Sequence, residues 1–152
     1  MAKKAPGRTL LMVVGIFLIL GGVFNAITSA MNFVMIGQEE MAPILEQALQ
    51  QTGISKSTYQ ISLVIVAIQA VVNMVTGIIG VANSNKIEKA SLCYGCGIVL
   101  IVCALINNGY AAFSGAFSIF SVLLSLILPL LYFWGALKNR QVMQEEQGTV
   151  IK

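Results

Sequence analysis

Cys93 and Cys96 stand in a C-x-x-C arrangement, Cys93-Tyr94-Gly95-Cys96, and Cys103 follows one heptad after Cys96. Two thiols so spaced can cycle between dithiol and disulfide when one sulfur ionises within reach of an electron acceptor. Here Lys89, about one turn before Cys93, is the only basic group nearby in sequence. Cys96 and Cys103 lie progressively deeper in an apolar run that offers a thiolate no solvation. The pair is therefore kept as a candidate redox site beside a structural reading, in which Gly95, Gly97 and the cysteines form a small-residue packing stripe. Three thiols without a fourth ligand make a poor zinc set. The chain contains no Asp and no His, which removes Ser/His/Asp and Cys/His catalysis and imidazole pH sensing. No catalytic, cofactor or metal site is assigned, and the chain is read as a non-enzyme.

The other groups with chemical potential are uncharged. Asn25, Thr28, Ser29 and Asn32 fall at i, i+3, i+4 and i+7, which places them on one helical face. Gln69, Asn73, Thr76 and Gly77 do the same, and Gly80 continues the row. Ser114, Ser118, Ser121 and Ser125 make a third row, followed four residues on by Pro129, which removes the hydrogen bond to the Ser125 carbonyl. Amides and hydroxyls in hydrocarbon bond a neighbouring helix, at about 0.6 kcal/mol each, or line a cavity for a small solute. The spacing leaves both readings open. Bonding of Gln69 and Asn73 across to the first span is the form the packing reading takes.

These rows require membrane helices to carry them. The chain is 57% hydrophobic and 10% charged, far from the roughly 25% charged residues of soluble domains. A spanning helix needs about 20 apolar residues, and four segments qualify, at about 9–36, 60–83, 90–108 and 116–137. The first is too long for the apolar core of a signal peptide and has no A-x-A site, so retention is expected. The fold class is all-α: a polytopic four-helix transmembrane bundle in a single domain covering residues 1–152. Lys3, Lys4 and Arg8 precede the first span, Lys86 and Lys89 join the second to the third, and Lys138, Arg140 and Lys152 follow the fourth, leaving Lys56 alone on the other side. By the positive-inside rule both termini are cytoplasmic, with residues 138–152 a polar cytoplasmic tail. Between the first two spans, residues 42–52 predict a short amphipathic helix on the outer surface, with Pro43 in its first turn and Gly53 as its stop. Its apolar row is Ile44, Leu45, Ala48 and Leu49. Tyr59, Tyr132 and Trp134 read either as interfacial anchors or as packing residues.

Setting GIFLILGGVFN (15–25) against GIVLIVCALIN (97–107) aligns Gly, Ile, Leu, Ile and Asn, a pattern consistent with two repeated helical hairpins. Four-span quinone-linked disulfide oxidoreductases carry C-x-x-C motifs but exchange disulfides on the outer face, whereas this pair sits at the inner start of its span. Small multidrug exporters depend on a first-span glutamate that is missing here, and ion-coupled transporters generally need an ionisable group near the midplane. A tetraspanin is excluded by the cysteine-free outer loop. With the exit YFWGALKNRQ and its polar tail, the chain resembles the small four-helix membrane proteins of Gram-positive bacteria. That resemblance implies a plasma-membrane address and assigns no activity. The expected role is an accessory or scaffold subunit in contact with the lipid bilayer and with a membrane protein partner or further copies of itself, without nucleic acid. A small oligomeric transporter or channel built on the polar rows is the alternative, and a membrane thiol redox protein the third.

Overall fold

A computed structural model describes residues 5–115 and 118–150, and every regular element among them is helical. Helix α1 spans Arg8–Ile36, α2 Ala42–Thr52, α3 Lys56–Asn83, α4 Ala90–Phe113 and α5 Ile119–Val150. All but α2 are long and apolar enough to cross a membrane, since a helix satisfies each backbone amide within its own segment. The expected class, an all-α multi-pass bundle, is what the chain forms. Local signals set the joints between helices. Gly53 adopts φ 69° and closes α2, with the Ile54 N–H returning to the Leu49 carbonyl at 3.1 Å. Ser55 then caps α3 by accepting the Thr58 N–H at 3.2 Å.

Each long helix packs against two neighbours: α1 and α4 each touch both α3 and α5. The α1–α3 contact is a glycine seam. A Cβ placed on Gly15 would stand 2.9 Å from the Gly77 carbonyl oxygen, and one on Gly77 2.7 Å from the Gly15 oxygen. One heptad further along α1, a Cβ on Gly22 would lie 2.8 Å from the Ala70 oxygen. Lipid tails are as apolar as leucine, so close backbone packing of this kind is what draws the helices together. The interior is filled by Leu11, Val14 and Leu18 of α1, Cys93 and Leu100 of α4, and Tyr132 and Ala136 of α5. The outward faces are apolar as well. Phe24 and Phe120 are each 70% exposed, as suits a surface solvated by lipid. The two glycines aligned by the sequence repeat, Gly15 and Gly97, both sit where the next long helix comes close, against Gly77 and Phe133 respectively.

Several boundaries differ from the sequence reading. Helix α4 continues past residue 108 to Phe113. Gly115, at φ 78°, then turns the chain, and α5 begins only at Ile119. The serine row expected on the fourth span is split as a result. Ser114 closes α4, Ser118 precedes α5 and accepts the Val122 N–H at 3.0 Å, and only Ser121 and Ser125 share an α5 face. At its other end α5 runs through Pro129 and on to Val150, so the polar tail continues the last helix. Its final residues, 151 and 152, lie outside the described ones, as do residues 116 and 117 at the start of the predicted fourth span.

Candidate functional site

In the middle of the bundle the polar rows are turned on themselves. Gln69 Nε2 donates to Asn73 Oδ1 at 2.8 Å along α3, so the bond expected across to α1 is made within one helix. The i, i+4 spacing that puts both amides on one face also puts them within reach of each other. Thr76 Oγ1 donates to the Val72 carbonyl at 2.6 Å, and Thr28 Oγ1 to the Phe24 carbonyl at 2.9 Å. Asn25 is half-buried, Ser121 is exposed, and Ser29 is buried on the glycine seam without a hydrogen-bond partner. Nearer the terminal end the interior belongs to Tyr132. Its side chain is fully buried, packs closely against Gly80 of α3, and donates its hydroxyl to the Thr76 carbonyl at 3.0 Å. Of the two aromatic residues read as anchors on the last span, Tyr132 is therefore a core residue, because glycine at position 80 leaves room for its ring. Trp134 is 55% exposed and has the Lys138 ammonium 5.0 Å above its ring.

Polar contacts between helices concentrate at the two ends. At the end remote from the chain termini, Tyr59 of α3 donates to Asn32 Oδ1 of α1 at 3.3 Å, and Tyr110 of α4 to the Thr58 carbonyl of α3 at 3.0 Å. Near that end Asn108 of α4 donates to Ser125 Oγ of α5 at 2.8 Å. The terminal end is tied by one residue that the periodic patterns missed. Asn139 of α5 is 1% exposed, accepts the Gly7 N–H at the start of α1 through Oδ1 at 2.7 Å, and donates through Nδ2 to the Ser84 carbonyl just beyond α3 at 3.3 Å. It ties the start of α1 and the end of α3 to the body of α5. Its sequence signal is slight, a single amide between Lys138 and Arg140 with no periodic companions.

The C-x-x-C pair lies at this terminal end. Cys93 is buried in the core cluster with Tyr132, while Cys96 and Cys103 are half-buried, and all three are free thiols. Between the two cysteines, Tyr94 packs its ring 4.9 Å from that of Phe133 and carries the Arg140 guanidinium 4.2 Å above it. Of the three thiols, Cys93 is thus the one enclosed in the core. No protein-family model matches this chain, and no curated protein or solved structure matches it either. Its functional reading rests on its own geometry.

Proposed function

We propose that this chain is a plasma-membrane bundle, with both termini cytoplasmic, that acts without catalysis as an accessory or scaffold subunit through protein and lipid contacts. The observation that carries the reading is the packed interior. Tyr132 fills the space between α5 and α3, and Gln69, Asn73, Thr76, Asn108 and Ser125 bond their own helix or an adjacent one. A pathway for a polar solute needs such groups turned toward water instead. The orientation rests on the eight basic residues grouped with the termini and the second loop, against Lys56 on the other side.

Crosslinking in native membranes followed by mass spectrometry tests the proposal. Reproducible crosslinks to one other membrane protein, or between copies of this chain, are the expected result. Crosslinks confined within single copies, combined with solute flux when the purified protein is reconstituted in liposomes, would replace the scaffold reading with the transport one.

A further inference from the structure

A cavity of about 180 Å³ lies at the end remote from the termini, where α2 folds back over α1 and α3. Met35 and Ile36 of α1 and Ile44 and Ala48 of α2 supply apolar wall, and Asn32 and Tyr59 supply polar groups. The amphipathic row of α2 is only partly seated here: Leu49 is buried, whereas Ile44 is 59% exposed beside the cavity. No charged side chain lines the space. A carboxylate or phosphate ligand would therefore be buried without a counter-charge, which is costly.

The polar pair has a specific residual valence. Tyr59 donates its only hydroxyl proton to Asn32 Oδ1, at a distance of 3.3 Å, and keeps its oxygen as an acceptor. Asn32 donates one Nδ2 hydrogen to the Thr28 carbonyl at 2.9 Å and keeps the second. One acceptor and one donor side by side match a hydroxyl, which donates and accepts at once. Size narrows the class further. An apolar cavity of about 150 Å³ takes benzene, and drug-sized ligands need about 300 Å³ or more. We propose that this cavity is a binding site for a small neutral amphiphile, a single ring or short chain bearing one hydroxyl, seated with its apolar part between α1 and α2 and its hydroxyl on Asn32 and Tyr59.

The test uses the full chain in lipid nanodiscs with a diazirine-bearing phenol as photoprobe and peptide mapping by mass spectrometry. Saturable labelling confined to the α2 segment and the end of α1 is expected, competed by p-cresol about tenfold more strongly than by toluene at equal membrane concentration. Ala48→Phe, which fills the cavity from an exposed helix position, should abolish the labelling. The double variant Asn32→Leu, Tyr59→Phe keeps a similar volume but removes both polar groups, and should erase the preference for p-cresol over toluene. Unsaturable labelling spread around all lipid-facing helices, undiminished labelling of Ala48→Phe, or equal competition by the two compounds would each overturn the proposal.

Discussion

Replacing Asn139 with Leu would leave the Gly7 N–H without its acceptor and remove the link to the Ser84 carbonyl. An orphaned buried donor costs about 1–3 kcal/mol, so thermal unfolding in detergent should show a clear drop for Asn139→Leu. Tyr132→Phe keeps the ring against Gly80 and loses one hydrogen bond, for which a smaller loss of about 0.5–1.5 kcal/mol is expected. For the cysteines, thiol trapping in cells should find Cys93 and Cys96 reduced, and a Cys93–Cys96 disulfide or a mixed disulfide with another protein would count against the structural reading. At this scale the sequence showed which polar residues share a face, because helical spacing is a local property. It did not show their partners. Asn139 stands outside any row, and Gln69 and Asn73 satisfy each other because nothing in their spacing favours a partner on α1 over one on the same helix.

Among the helices, the seam between α1 and α3 makes the sharpest prediction. Gly77→Ala places a methyl group 2.7 Å from a backbone oxygen of α1, which only separation of the helices can relieve. A loss of about 1–3 kcal/mol is expected from such overpacking. Gly21→Ala is the matched control: nothing lies within 4 Å of its added methyl, and stability should stay level or rise by up to about 1 kcal/mol from helix propensity. Equal destabilisation by both substitutions would show that the seam is not a close backbone contact. The four spans, the short helix over residues 42–52 and its stop at Gly53 were all legible from hydropathy and turn chemistry. The split of the serine row was not. It depends on Gly115 taking a positive φ, and a lone glycine in an apolar stretch reads equally well as a packing residue. The length of α5 was also hidden, since the polar residues after Lys138 signal departure from the membrane without specifying that the helix ends there.

For the molecule as a whole, the charge distribution predicts that a reporter active only in the cytoplasm works when fused after Lys152 and is silent when inserted near Gln51. The opposite pattern would invert the proposed orientation while leaving the bundle intact. The central claim is that the polar rows are packed inside the bundle and do not line a water-filled route, and solvent access reports on it directly. In a background with Cys93, Cys96 and Cys103 replaced by Ala, single cysteines are introduced at Ser29, Asn73 and Thr76, with one at Gln51 as an exposed control. A membrane-impermeant thiol reagent is then applied to each side of native membranes. The account predicts labelling at position 51 from one side and none at positions 29, 73 and 76 from either. Labelling of those three positions would reveal a continuous aqueous row through the bundle and contradict it.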